Sequence, residues 1–143
     1  MSSNGSIIII EDDRDDRELI EELMLEILLQ NNYRNKIIFM NDGLEALNYL
    51  RQMTSKPFMI ISDINMPRMT GFELRSIIFN DEQLCRLCVP YIFLTTSGNH
   101  REYLEKAYRL SIQGYFKKPN APQEFKDLLS ELLHYWKRSI TPY

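Results

Sequence analysis

Five short apolar runs alternate along the chain with longer segments of helical periodicity, and this alternation constrains the fold more than any other feature. Unbroken apolar runs of this length are typical of strands that are buried on both faces of a sheet. Strands that alternate with helices form a parallel sheet joined by right-handed crossovers. The sequence therefore predicts an α/β fold with a doubly wound, five-stranded parallel sheet. The predicted strands are Ser6–Ile10, Ile37–Met40, Phe58–Ile61, Tyr91–Leu94 and Gly114–Lys117.

The segments between and after these runs carry apolar residues at helical spacing, which predicts five helices. Asp15 or Asp16 is expected to cap the first helix, because a carboxylate accepts hydrogen bonds from the free N–H groups of a first turn. The apolar stripes lie within Leu19–Leu28, Leu44–Leu50, Leu74–Ile78, Leu104–Tyr108 and Phe125–Trp136.

Length and composition limit the kinds of protein this can be. At 143 residues we expect a single domain over 1–143, with a core at about 6–138 and short disordered ends. The net charge of −3 provides no basic excess for direct binding to nucleic acid. No apolar run is long enough to span a membrane, and residues 1–6 lack the features of a secretory signal. Since the chain has only two cysteines, we expect a cytoplasmic protein without a disulfide framework.

Candidate site residues with polar side chains follow the first, third, fourth and fifth predicted strands. Because the carboxyl ends of parallel strands meet at one edge of the sheet, these side chains should lie together. Several carboxylates at one edge repel one another unless a cation lies among them, and oxygen ligands favour Mg²⁺. A carboxylate beside Mg²⁺ can attack a phosphoryl group, whose oxygens then need positive charge and hydrogen-bond donors. The residues are Glu11, Asp12 and Asp13 after the first strand, Asp63 after the third, Thr96 after the fourth and Lys118 after the fifth.

These residues stand in motifs that resemble the receiver domain of response regulators, in particular the stand-alone receivers of the chemotaxis type. The motifs occur in the family's order from about Ile7 to Leu133. The resemblance implies a flavodoxin-like (βα)5 fold with strand order 2-1-3-4-5. The matching segments are Ile9–Asp13, Asp63–Gly71, Leu94–Ser97 and Gly114–Pro119.

The resemblance also implies a phosphoacceptor and a metal site. Asp63 matches the phosphoacceptor of the family, and Glu11 and Asp12 match the acidic pair that holds Mg²⁺. Asp63 itself and the main-chain carbonyl of Asn65 would complete the protein ligands. The neighbouring Asp13 leaves open a shift of the acidic pair by one residue.

Three further roles are carried over from the family. Thr96 matches the switch hydroxyl, because counting back from Lys118 along the family pattern selects it over the adjacent Thr95. Lys118 matches the phosphate-binding lysine, and its bond to Pro119 is expected to be cis. Tyr115 matches the aromatic switch on the fifth strand. Gly98, two residues after Thr96, replaces a larger side chain found in many receivers.

The function implied is that of a two-component signalling switch rather than an enzyme, although a receiver assists its own phosphorylation and dephosphorylation. A histidine kinase or histidine phosphotransfer protein would donate the phosphoryl group, and a downstream protein would bind the altered surface. Some receivers form a homodimer through the fifth-strand face and others do not, and no DNA-binding output domain is expected.

Two other hypotheses about the function compete with that of a signalling switch. A Mg²⁺-dependent phosphohydrolase of the haloacid dehalogenase type also uses an aspartate, but after its first strand and with a second acid two residues on, where this chain has Asn65. A pseudo-receiver would bind partners without being phosphorylated. Cys85 and Cys88 form a CxxC motif, which we interpret as two partly buried thiols in a connector, because no further ligands with zinc-site spacing accompany them.

Overall fold

The computed structural model describes residues 2–96 and 100–143. Within them, five parallel strands form one sheet in the order β2-β1-β3-β4-β5. This confirms the predicted fold class and strand order, and each strand bound lies within one residue of its predicted position. The strands are β1 (Ile7–Ile10), β2 (Ile37–Met40), β3 (Met59–Ser62), β4 (Tyr91–Thr95) and β5 (Gly114–Lys117).

The described residues also contain six α-helices and a short 3-10 helix at Ser2–Asn4. Helices α1 and α6 cover one face of the sheet, while α2, α3, α4 and α5 contribute to the core on the other face. None of these helices combines the length and apolar character needed to cross a lipid bilayer. The helices are α1 (Arg14–Gln30), α2 (Gly43–Gln52), α3 (Gly71–Asn80), α4 (Glu82–Leu87), α5 (Arg101–Arg109) and α6 (Pro122–Arg138).

The helix that was not predicted, α4, is short and lies directly after α3. Asp81 separates the two helices and caps α4, its side chain accepting a hydrogen bond from the N–H of Leu84 at 3.0 Å. The CxxC motif spans the end of α4, with Cys85 partly exposed and Cys88 fully buried. Burial raises the pKa of the Cys88 thiol to about 12, so this thiol is held in its neutral form.

The start of α1 corrects the predicted cap. Asp13 is the N-cap, and its Oδ1 accepts a hydrogen bond from the N–H of Asp16 at 3.0 Å. Asp15 and Asp16 instead lie inside the first turn, because the helix begins at Arg14. The apolar stripe that begins at Leu19 remains compatible with this earlier start, which is why periodicity alone did not locate the cap. Asp13 is therefore engaged in helix capping, and Asp16 is free to face another element.

Candidate functional site

Four of the predicted site residues share one position in the fold. Each is the first residue beyond its strand: Glu11 after β1, Asp63 after β3, Thr96 after β4 and Lys118 after β5. Two residues before them, each strand carries a side chain that packs toward α1 and α6: Ile9, Ile61, Leu94 and Phe116. Since side chains alternate along a strand, the four polar residues continue that face at the carboxyl edge of the sheet.

Lys118 follows β5, an outermost strand, and its ammonium reaches the acids at the carboxyl edge of the sheet. Its Nζ donates hydrogen bonds to Oδ2 of Asp16 at 2.8 Å, to Oδ2 of Asp63 at 3.4 Å and, in a shorter contact, to Oε1 of Glu11. Burial by itself lowers the pKa of Lys118, but the hydrogen bonds to Asp16 and Glu11 and the charge of Asp63 outweigh it and raise the pKa. The lysine is therefore held as an ammonium among three carboxylates.

Glu11 is the most buried acid of the site, with 2% of its surface exposed. Burial, together with the charge of Asp63, raises the pKa of Glu11 to about 7, even though Lys118 acts in the opposite direction. Its Oε2 accepts a hydrogen bond from the N–H of Asp13 at 3.2 Å. One lysine thus does not fully offset the effects of burial and of the Asp63 charge on Glu11.

Asp63 is held in a fixed orientation by its own loop. Its Oδ1 accepts a hydrogen bond from the N–H of Ile64 at 2.7 Å, and its main-chain carbonyl accepts one from Oγ of Ser62 at 2.7 Å. Gly71, at the start of α3, packs directly on this loop: a Cβ there would lie 2.2 Å from the carbonyl oxygen of Asp63. Only glycine permits this approach, which brings α3 against the loop that follows β3.

Three acids lie close enough together to hold a metal ion. Glu11, Asp12 and Asp63 each offer an oxygen within 4.8 Å of the others. Asp12 is exposed, so the cluster opens to solvent on that side, whereas Asp13 is directed to the cap of α1. All-oxygen ligand sets suit a hard divalent cation such as Mg²⁺, so the donor set fits the expected ion. The structure thus groups Asp12, rather than Asp13, with Glu11 and Asp63.

The expected cis bond at Lys118–Pro119 is wrong. Among the described residues, the one cis peptide bond is Val89–Pro90. The N–H of Lys118 donates to the carbonyl of Thr95 at 2.9 Å, which extends the β4–β5 ladder by one residue. From this ladder position the Lys118 side chain reaches the carboxylates, so no turn at Pro119 is needed to direct it.

The two predicted switch residues lie on the β4–β5 side of the site. Thr96 is exposed, whereas the adjacent Thr95 is fully buried. Tyr115 is partly buried and packs edge-on against Phe93, with ring centroids 6.3 Å apart. Burial, Tyr103 and the charge of Asp63 all raise the pKa of Tyr115. Ser97 and Gly98, which follow Thr96, lie outside the described residues.

Two of the contacts near the site that were not foreseen involve acids. Asp16 was interpreted only as a possible helix cap, yet it accepts a hydrogen bond from Lys118. Arg68, with a φ of 65°, forms an ion pair with the buried Asp42 at the start of α2. Burial alone would raise the pKa of Asp42, but the Glu45 N–H and Arg68 lower it. The position of Asp16, three residues after Asp13, was a sequence signal for its contact with Lys118. The ion pair between Arg68 and Asp42 depends on loop geometry.

Known proteins resemble this chain over nearly its whole length. The sequence model of the Response regulator receiver domain matches residues 7–130. Response regulator Rcp1 from Synechocystis is 26% identical over 140 residues, covering 94% of this chain and 90% of Rcp1. The probable methanogenesis regulatory protein FilR2 from Methanothrix harundinacea is 30% identical over 118 residues, covering 80% of this chain and 74% of FilR2.

Solved structures agree with this assignment. The phosphorylated cyanobacterial phytochrome response regulator RcpA superimposes with a TM-score of 0.84 at 27% identity, covering 98% of this chain and 99% of RcpA. The Mn²⁺-bound form of Rcp1 gives a TM-score of 0.81 at 25% identity, covering 96% of this chain and 97% of Rcp1. On its strand order, its strand-end residues and these matches, the chain belongs to the response regulator receiver domains of two-component systems.

Proposed function

We propose that this receiver accepts a phosphoryl group on Asp63 from a histidine kinase or a histidine phosphotransfer protein. The observation that carries the proposal is the Nζ of Lys118, which lies within hydrogen-bond distance of Asp63 at the same edge of the sheet as Glu11 and Asp12. A nucleophilic carboxylate, a fixed ammonium and a set of metal-binding oxygens are the groups that phosphoryl transfer to aspartate requires.

In the transfer, a carboxylate oxygen of Asp63 forms a bond to phosphorus while the bond from phosphorus to the donor histidine nitrogen breaks. The electron pair of that bond returns to the imidazole, which takes up a proton. The N–H of Ile64 holds Asp63 in place for the attack. Lys118 already faces Asp63 and donates to a phosphoryl oxygen once the group has arrived.

We assign the Mg²⁺ ligands to Glu11, Asp12, Asp63 and the main-chain carbonyl of Asn65. The ion supplies positive charge that offsets the repulsion between the carboxylates and the incoming phosphoryl oxygens. The acid cluster supports this assignment for the three carboxylates. The relationship to a receiver solved as its Mn²⁺-bound form, and to another solved as phosphorylated, supports both the ion and the modification.

We further propose that phosphorylation changes a protein-binding surface on α5, β5 and α6. Thr96 moves inward and donates a hydrogen bond to a phosphoryl oxygen. Tyr115, which already packs on the core through Phe93, then fills the space that Thr96 leaves. This coupling requires an equilibrium between two conformations that the phosphoryl group biases. A downstream protein then recognises the altered face, and the same face is the one through which a homodimer would form.

In this proposal the protein acts in the cytoplasm as a single receiver domain with a core at about 6–138. The match to Rcp1 over 90% of that regulator's length supports this organisation. The protein turns over no external phosphomonoester, and it needs neither nucleic acid nor a membrane as a direct partner. Steady hydrolysis of a small phosphomonoester would instead favour the hypothesis of a phosphohydrolase.

The proposal is tested by the intact mass of the protein after incubation with acetyl phosphate and Mg²⁺. The wild-type chain should gain one phosphoryl group, and Asp63→Asn should gain none. Asp15→Asn is the matched control, because Asp15 is an exposed acid in the first turn of α1. Equal labelling of Asp63→Asn and the wild type would refute Asp63 as the phosphoacceptor, and no labelling of the wild type would favour a pseudo-receiver.

A further inference from the structure

Tyr103 on α5 extends to the loop that follows Asp63. Its hydroxyl donates to Oδ1 of Asn65 at 3.5 Å, across 38 residues of sequence. Its ring packs perpendicular to that of Phe72 on α3, with centroids 5.1 Å apart. The ring contact fixes where the phenol lies, and the hydroxyl joins the first turn of α5 to the phosphoacceptor loop.

The surroundings of Tyr103 connect it to the interior of the protein. The Phe72 ring packs edge-on against Phe93 at 5.5 Å, and Phe93 packs against Tyr115 at 6.3 Å. Tyr103 and Asp63 both act electrostatically on the Tyr115 phenol, so the two phenols lie on the same side of the site. Tyr103 is thus a second aromatic side chain at this site, and the sequence motifs did not single it out.

We propose that Tyr103 is a positioning residue that engages the amide oxygen of Asn65 and thereby slows hydrolysis of the phosphoryl group; this inference rests on the proposed function. Asn65 is exposed and lies two residues after Asp63, so its side chain is within reach of water that approaches the modified carboxylate. The amide oxygen accepts hydrogen bonds and can orient such a water.

Hydrolysis forms a bond from the water oxygen to phosphorus and breaks the bond from phosphorus to the Asp63 oxygen. Asp63 leaves as a carboxylate, and inorganic phosphate leaves with the oxygen of the water. Water that donates a hydrogen bond to Oδ1 of Asn65 is oriented for this attack. Tyr103 already donates to that oxygen, so it competes with the water and restricts the rotation of the amide.

The test uses Tyr103→Phe, which keeps the ring against Phe72 and removes only the hydroxyl. Tyr108→Phe is the matched control, because Tyr108 lies on the same helix with 55% of its surface exposed. Before any phosphodonor is added, the side-chain amide signals of Asn65 in an NMR spectrum should shift in Tyr103→Phe and not in Tyr108→Phe. After labelling with acetyl phosphate, the phosphoryl group should be lost about threefold faster from Tyr103→Phe, as expected for one neutral hydrogen bond, and at the wild-type rate from Tyr108→Phe.

A double-mutant cycle with Asn65→Ala separates positioning from general packing. In that background Tyr103→Phe should have no further effect on the rate of phosphoryl loss. An equal acceleration in both backgrounds, an unchanged rate in Tyr103→Phe or unmoved Asn65 amide signals would each overturn the inference. The proposed function fails separately, if the wild-type chain takes up no phosphoryl group, whereas these outcomes concern a chain that does.

Discussion

Lys118 and Arg75 are both buried cations, and their surroundings differ sharply. Lys118, at the carboxyl edge of the sheet, contacts the carboxylates of Glu11, Asp16 and Asp63. Arg75, on α3, has 1% of its surface exposed and forms no ion pair among the described residues. Its Nε and Nη2 donate to the carbonyls at the end of α5, Leu110 at 2.9 Å and Ser111 at 3.1 Å.

The two environments shift the pKa values of the two cations in opposite directions. Burial lowers the pKa of Arg75, whose guanidinium also stacks over the Tyr91 ring at 4.9 Å from its centroid. The pKa of Lys118 is raised because acids surround it. Arg75 therefore joins α3 to the end of α5 through neutral groups, with its Nη1 buried and without a hydrogen-bond partner among the described residues. The Lys118 site has more acids than bases, and this surplus of negative charge suits it to bind a cation.

The largest effect is expected when each cation is replaced in turn, which separates a role in phosphoryl transfer from a structural role. Lys118→Met should reduce the rate of labelling by acetyl phosphate about a hundredfold, because one preorganised donor to the phosphoryl oxygens is lost. Arg75→Lys should stay within about twofold of the wild type, because this cation faces no reacting group. The measurement is the time course of intact mass. Equal losses in the two variants would contradict the distinction between the two cations.

A stability measurement should reveal the structural role of Arg75. Arg75→Ala should lower the free energy of unfolding by about 4 kcal/mol, because it leaves a cavity and buried carbonyls without their donor. Arg101→Ala is the control: the Arg101 side chain is 91% exposed and its ion pair with Glu105 lies on the surface. That variant should change stability by less than about 0.5 kcal/mol. Urea unfolding measures both free energies. A small loss of stability in Arg75→Ala would show that the guanidinium does not hold α3 against the end of α5.

The burial of Glu11 close to Asp63 also predicts how stability depends on pH in the metal-free protein. The pKa of Glu11 is raised from 4.5 to about 7, so the folded state binds more protons than the unfolded state between these values. The free energy of unfolding should therefore fall as pH rises through this window, by up to about 3 kcal/mol. Glu11→Gln should flatten the dependence. A stability that rises over the same window in the wild type would show that Lys118 fully neutralises the site.

Much of the fold and part of the site followed from the sequence, because both depend on local patterns. The apolar runs located β1 to β5. The residues just past four of these strands, such as Asp63 and Lys118, lie together at the carboxyl edge of the sheet. The partners of Lys118 beyond Glu11 and Asp63 could not be predicted in the same way. Its bond to Asp16 depends on where α1 begins, which apolar periodicity leaves uncertain by several residues.

Other features depend on contacts between distant segments. The role of Arg75 follows from the packing of α3 on the end of α5, and an arginine in a helical segment is ordinarily expected at the surface. The Tyr103–Asn65 contact joins residues 38 positions apart. The expected cis bond at Pro119 was transferred from the family, and the ladder hydrogen bond of Lys118 shows why the site does not need it. Such features require the three-dimensional structure.

The most direct test of the central claim, that the surplus of carboxylates forms a Mg²⁺ site, is a titration of Mg²⁺ followed by amide NMR in matched variants. We predict saturable shifts centred on Glu11, Asp12 and Asp63 in the wild type. Asp12→Asn should weaken binding about tenfold or more by removing a charged ligand, while Asp13→Asn should bind as the wild type does, because asparagine caps a helix as well as aspartate. A larger loss in Asp13→Asn, or no saturable shifts at these residues, would contradict the account.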